Sequence, residues 1–252
     1  MTDVVRVDEA GGVLTITLDS PTNRNALSSA LRAELLVALD GAAASTTARV
    51  VVLDHTGPVF CSGMDLRESA TAARGSEGVR ELPRILQRIS HCPKPVIASV
   101  GGAARAGGIG LLAAADLVVS VSTATFAFAE VRLGLIPAVI SVPVLRRLSA
   151  TAARELLLTG AVFDATRARE IGLVNAVAEP GRLDELVAEH ARSLLLGGPG
   201  ALAGTKLMLS RTHDDSDERY EALLELSATQ FASPEGSEGG QAFLEKRPPN
   251  WI

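Results

Sequence analysis

Apolar and polar residues are distributed unevenly along the chain, and their spacing changes character near its middle. The stretches VVRVDEA (4–10) and GVLTITL (12–18) are short and β-rich, with Gly11-Gly12 between them, which predicts a hairpin. Leu27, Leu31, Leu35 and Leu39 then recur every fourth residue, the spacing of an amphipathic helix. RVVVLDH (49–55) is an apolar run of strand length, punctuated by Gly57-Pro58. PVFCSGMDLRESATAARGSEG (58–78) reads as a strand end, a loop and a polar, mobile segment. VRELPRILQRI (79–89) is helical if Pro83 sits in its first turn. KPVIASVGG (94–102) is a buried strand, and the glycines that follow open a helix. LVVSVS (117–122) and TFAFAEV (125–131) add two short strands.

From about residue 143 nearly everything is helical, interrupted by one apolar run, LVNAVAE (173–179). Strands alternating with helices imply an α/β fold with parallel pairing and crossovers. The helical tail must bury its apolar faces on the first part of the chain or on another subunit. The only internal echo, GSEG at 75–78 and 236–239, is too short to be a repeat.

Composition narrows the class. The 252 residues are 47% hydrophobic and 21% charged, with a net charge of -5. There is no dense Lys/Arg run, so a nucleic-acid partner is not expected. No charge-free stretch is long enough for a membrane span, and the N-terminus lacks the pattern of a signal peptide. Cys61 and Cys92 are not a C-x-x-C pair, which points to a reduced, cytoplasmic setting. His55, His91, His190 and His213 lack ligand spacing, so no metal is expected.

The candidate chemistry lies in ARAGGIGLLAAAD (104–116). Gly108, Gly110 and Ala113 match a dinucleotide fingerprint, and Glu130 follows at about the distance of a ribose-binding acid. Seven residues separate the preceding strand from Gly108, however, whereas a dinucleotide loop leaves its strand directly. A second reading is that the small residues only let a helix pack closely on a strand. A third joins two loops. FCSGMDL (60–66) and ARAGGIG (104–110) each follow a strand and each place a glycine beside a backbone N–H. Two such donors converging on one point form an oxyanion hole.

The chain resembles the enoyl-CoA hydratase/isomerase, or crotonase, family. The resemblance is carried by NRNAL (23–27), RVVVLDHTGPVFCSGMDLRE (49–68), PKPVIASVGG (93–102), AGGIGLLAAAD (106–116), FAFAEVRLGLIP (126–137), ELLLTG (155–160), AREIGLVNAV (168–177) and AFLEKRPPNW (242–251), all in family order. It implies a spiral of β-β-α turns over residues 1–195 and a helical region, 196–252, that mediates trimers, often paired as hexamers. The substrate it implies is an acyl-CoA thioester, with coenzyme A entering as part of the substrate and no separate cofactor.

By position, the hole donors are the N–H groups of Met64 and Gly107, with Gly108 beside them. Arg24 and Ala26, in NRNAL, would lie along the nucleotide end of coenzyme A. Backbone groups around Ser62 and Met64 would meet the adenine, and Asp65 and Leu66 would also bind the substrate, although Asp65 also reads as a cap of its own loop. Phe243 and Lys246 match positions that reach coenzyme A, in part from a neighbouring subunit. The run of three glycines usual in the family is Ala106-Gly107-Gly108 here, with Arg105 where an apolar residue is common.

Hydratases of the family carry two glutamates. One matches Glu130; the other position is Gly110 here, which predicts open volume able to take a substrate branch, a substrate carboxylate or a water. The usual IPGAGG is Ile136-Pro137-Ala138-Val139-Ile140-Ser141. GGxGL with PAxIS resembles a bacterial subgroup that includes methylglutaconyl-CoA hydratases. Hydration of a 2-enoyl-CoA is therefore expected, with Glu68 or Glu77 as a possible second acid. A double-bond isomerase using Glu130 alone, or a non-catalytic acyl-CoA binder, are the alternatives.

Overall fold

The computed structural model describes residues 3–69, 72–210, 224, 225, 227–230 and 233–252, with backbone alone for 69 and 72–79. The expected hairpin is present: β1 (Val5–Ala10) pairs antiparallel with β2 (Val13–Leu18). Gly11 and Gly12 both take positive φ between them, as a tight two-residue turn of right-twisted strands requires.

Three successive β-β-α passages follow. In the first, β3 (Val50–His55) leads to β4 (Val59–Cys61), then α2 (Leu66–Ser69) and α3 (Ala72–Ser90). In the second, β5 (Val96–Val100) leads to β6 (Ala103–Arg105) and α4 (Gly107–Ala114). In the third, β7 (Leu117–Val121) leads to β8 (Thr125–Ala127), a 3-10 turn (Ala129–Leu133) and α5 (Ala138–Arg147). The first strand of each passage joins one sheet, ordered β1-β2-β3-β5-β7-β10, where β10 is Ala176–Ala178. The second strand joins another, ordered β4-β6-β8-β9, where β9 is Phe163–Asp164. All pairings from β2 to β10 in the first sheet are parallel, as are β4-β6 and β6-β8 in the second. This is a spiral of β-β-α turns.

Other helices among the described residues include α1 (Ser29–Ala44), α6 (Ala150–Thr159), α7 (Ala165–Glu170), α8 (Leu183–Leu195), α9 (Pro199–Ser210) and α10 (Pro234–Glu245). The larger core joins α1, α3, α4 and α5 to the faces of both sheets, and a smaller one lies beneath α8. Arg49 anchors the chain end, donating to the carbonyls of Leu195, Gly197 and Trp251.

Several details differ from the pattern reading. TFAFAEV is strand only to Ala127, and Glu130 lies in the 3-10 turn that follows. Leu27 precedes α1, whose first turn is capped by the Ser28 hydroxyl accepting from the Leu31 N–H, so Leu31, Leu35 and Leu39 carry the buried stripe. Residues 72–78, read as a mobile loop, are the first turns of α3. Pro83 consequently falls in the interior of that helix rather than in its first turn. The lost backbone hydrogen bond and the ring's clash with the carbonyl one turn back cost about 3 kcal/mol, opposed by burial of Leu82, Ile85, Leu86 and Ile89 on the same helix. Finally, β6 and β9 are too short for a periodic signal and were not foreseen.

Candidate active site

The carboxyl ends of parallel strands are where ligands meet open α/β sheets. Here β4, β6 and β8 end side by side. Their continuations are the loop to Met64, the turn into α4 at Gly107, and the 3-10 turn that holds Glu130.

The Met64 loop is held by the segment before α1. Arg24 and Asn25 both take positive φ, which bends that segment back on the β4 loop. Asn25 is fully buried and saturates its amide: its oxygen accepts from the Ser20 N–H, and its nitrogen donates to the Thr56 and Val59 carbonyls. The Ser62 N–H donates to the Arg24 carbonyl, and the Leu27 N–H to the Gly63 carbonyl. Leu27 and Met64 form a parallel bridge. In such a bridge the bonds run through the residues flanking Met64, so its own N–H points away from Leu27. Among the described residues, neither that N–H nor the Gly107 N–H has an acceptor in the protein. Asp65 caps α2, accepting from the Arg67 and Glu68 N–H groups.

Gly107 is the first residue of α4, where N–H groups lack intrahelical partners and the helix dipole is positive. The two loops touch. A Cβ built on Gly63 would lie 2.9 Å from Ala106 Cβ and 3.4 Å from the Gly107 nitrogen. Ala106 itself turns the corner at φ 48, ψ -120, a positive-φ conformation that normally takes glycine. Arg105 does not disturb this corner: its guanidinium reaches sideways to the backbone oxygen and hydroxyl of Thr125 on β8. Gly108 serves close packing instead of leaving room for a ligand, because a Cβ there would lie 2.5 Å from the Cys61 carbonyl oxygen.

Glu130 is 9% exposed, and its Oε2 has no hydrogen-bond partner. Burial raises its pKa, opposed in part by its own backbone N–H. A buried carboxyl with a free oxygen and a pKa raised from its ordinary value is suited to taking and returning a proton.

The expected open volume beside Gly110 is absent. A Cβ at Gly110 would lie 2.6 Å from Ile140 Cγ2, 3.2 Å from Ile140 Cβ and 3.5 Å from Leu86 Cδ2. Ile140, from the first turn of α5, therefore fills the space that the missing side chain leaves. Nor does Glu68 stand free as a second acid: it accepts from the Ser29 N–H and hydroxyl at the start of α1 and pairs with Arg32. The Glu77 side chain lies outside the described residues.

The residues assigned to coenzyme A are dispersed. Ala26 is buried, Ser62 half-buried, Arg24 and Leu66 exposed. Phe243, 83% exposed, lies on the C-terminal helix α10, and exposed Lys246 caps its end in a left-handed conformation. Among the described residues no group of three His, Cys, Asp or Glu could hold a metal ion, and no helix is long and apolar enough to cross a membrane.

Pattern reading missed Asn25, Arg32 and Ile140. Asn25 was hidden in a motif read for its arginine. Arg32 directly follows a position of the leucine stripe, and Ile140 looks like one apolar residue among several.

The spiral of β-β-α turns is the crotonase fold. A family model described as enoyl-CoA hydratase/isomerase matches residues 8–252, and the chain belongs to that family. Its relatives include enoyl-CoA hydratase EchA19 of Mycobacterium tuberculosis, 31% identical over 97% of this chain and 95% of that protein. Another is the mitochondrial enoyl-CoA hydratase domain-containing protein 3 of Danio rerio, 32% identical over 97% of this chain and 86% of that one. An enoyl-CoA hydratase crystal structure from Mycobacterium smegmatis superposes with a TM-score of 0.93, at 33% identity and 98% coverage of both chains.

Proposed function

We propose that this protein moves protons on an acyl-CoA thioester, with the Met64 and Gly107 N–H groups holding the thioester oxygen and Glu130 as the one proton carrier. The observation that carries the reading is Glu130: buried, raised in pKa, with one oxygen unpartnered. A structural carboxylate in that position would have found a donor. The same observation argues against a non-catalytic binder.

Of the two family reactions, the geometry best supports double-bond isomerisation. Glu130 takes a proton from C2 of a 3-enoyl-CoA, and the electron pair spreads over the conjugated system onto the thioester oxygen. Glu130 then returns the proton to C4, leaving the double bond between C2 and C3. One carboxylate completes this cycle. Hydration is the second reading, favoured by the names of the relatives. It asks Glu130 to take a proton from water as oxygen adds to C3, then deliver that proton to C2. The filled space beside Gly110 removes the reason for expecting a branched or carboxylated substrate.

Coenzyme A contacts by Arg24, Ala26, Ser62, Asp65 and Leu66, and by Phe243 and Lys246 of a neighbouring subunit, belong to the same proposal, as does a cytoplasmic setting. A homotrimer or hexamer is supported by the exposed Leu207, Leu209, Phe243 and Leu244 on the C-terminal helices.

The deciding experiment incubates the protein with 2-enoyl- and 3-enoyl-CoA thioesters and reads products by mass and double-bond position. Isomers without added water are expected, and Glu130→Gln should lower their rate by about two to four orders of magnitude, the scale of general acid-base catalysis. Hydrated product with no isomer would replace this reading by the second. Binding without any product would leave the non-catalytic one.

A further inference from the structure

Arg32 is a cation inside the protein: its side chain is 5% exposed, and it stands on α1 among residues that pack against the core. Burying a charge is costly unless it is paired and fully hydrogen-bonded, and the partners it has found surround the Met64 loop. Nη1 donates to the Leu27 carbonyl at 2.6 Å. Nε donates to Glu81 of α3 at 2.7 Å. Nη1 also lies 3.9 Å from Glu68 of α2, the carboxylate that holds the start of α1 through Ser29. Leu27 is the residue bridged to Met64, and its N–H is already committed to the Gly63 carbonyl. Its peptide groups are thus held on both sides, by the β4 loop and by the guanidinium.

Apolar packing alone would not need this arrangement. Nearby positions of α1 that face the core are leucine and alanine, and a leucine at 32 would avoid the desolvation cost altogether. What a guanidinium adds is a planar fork that fixes direction at two partners at once. One is the Leu27 carbonyl, before the donor loop in space. The other is the acidic pair on the helices that leave that loop.

We infer that Arg32 is a positioning residue for the oxyanion hole: by clamping the Leu27 carbonyl to α2 and α3 it sets the direction of the Met64 N–H. It touches no substrate. Its effect is on how strongly the thioester carbonyl is polarised, because a donor pays no reorganisation cost only while it is held on target. This rests on the proposed role of Met64 and Gly107 as hole donors, and the test separates the two.

The probe is butyryl-CoA carrying 13C at the thioester carbonyl, a saturated compound that can be neither hydrated nor isomerised. Its carbonyl stretch is read by isotope-edited infrared difference spectroscopy, free and bound. With wild-type protein the stretch should fall in frequency on binding. With Arg32→Leu more than about half of that fall should be lost, and turnover of the active enoyl-CoA should drop about tenfold or more in kcat. KM and butyryl-CoA affinity should change about threefold or less, since no substrate contact is removed. Arg32→Lys, a compact cation that cannot span both partners, should fall between. It also carries the test if Arg32→Leu does not fold. A carbonyl shift in either folded variant equal to that of wild type would overturn the inference while leaving the hole intact. No shift in the wild-type protein would instead overturn the hole, and the role of Arg32 with it.

Discussion

Gly110 and Ile140 should behave as one unit of volume, and a double-mutant cycle measures this. Gly110 lies inside α4, where replacing glycine by alanine normally stabilises by about 1 kcal/mol. Here the new methyl would sit 2.6 Å from Ile140 Cγ2, roughly an ångström inside the usual carbon contact of about 3.5–4.0 Å. Ile140 is 2% exposed and packed on α4, so it has little room to withdraw. Overpacking of this kind costs about 1–3 kcal/mol, so the clash outweighs the helix gain and Gly110→Ala should destabilise. Ile140→Ala alone should cost about 2–5 kcal/mol through lost burial and a cavity. Together they should cost less than their sum, with a coupling of about 1–3 kcal/mol, because the methyl at 110 enters the space vacated at 140. Urea unfolding at one fixed protein concentration, with shared slopes, reads the four corners. An additive cycle, or a stabilising Gly110→Ala in the presence of Ile140, would refute the packing argument. The same logic extends to chemistry. Gly110→Glu with Ile140→Gly should raise hydration of crotonyl-CoA, which Gly110→Glu alone should not.

Glu130→Gln should make the protein more stable at neutral pH. Burial raises the folded-state pKa of Glu130 above the unfolded value of 4.5, so the folded state holds the extra proton. The stability of the native protein should therefore fall as pH rises from 4.5 through the raised value. Melting temperatures across pH should show the glutamine variant gaining over wild type through that window and matching it below; parallel curves would contradict the desolvation account. Ala106→Gly should stabilise by about 1 kcal/mol by relieving the positive-φ corner, with turnover retained; a loss of stability in urea would show the corner to be unstrained. His55 Nε2 accepts from the Gly101 N–H at 2.9 Å, and burial lowers its pKa below 6.5. Its contribution is present above that value and should decline as pH drops below it, a trend that His55→Gln should weaken in acid-unfolding curves.

Much of this protein was set by sequence alone. Short β-rich runs around Gly11-Gly12 mark the hairpin, the period-4 leucines mark the buried stripe of α1, and continuous apolar runs mark the long strands β3 and β5, which are buried on both faces. The motifs around Met64, Gly107 and Glu130 mark the three strand ends that meet, since close approach and a free N–H restrict which residues can stand there. Tertiary structure alone decided the rest. Strands β6 and β9 have three and two residues, and exist only because neighbours offer them hydrogen-bonding edges. Pro83 is helical because four buried neighbours on α3 hold it in place. The contents of the space beside Gly110 depend on a residue thirty positions away, Ile140, whose contact is set by how α5 lies on α4. Arg32 looks like any surface cation of an amphipathic helix until α2 and α3 fold over it. Volume and charge compensation between distant residues leaves no periodic trace, so one chain read by itself cannot reveal it.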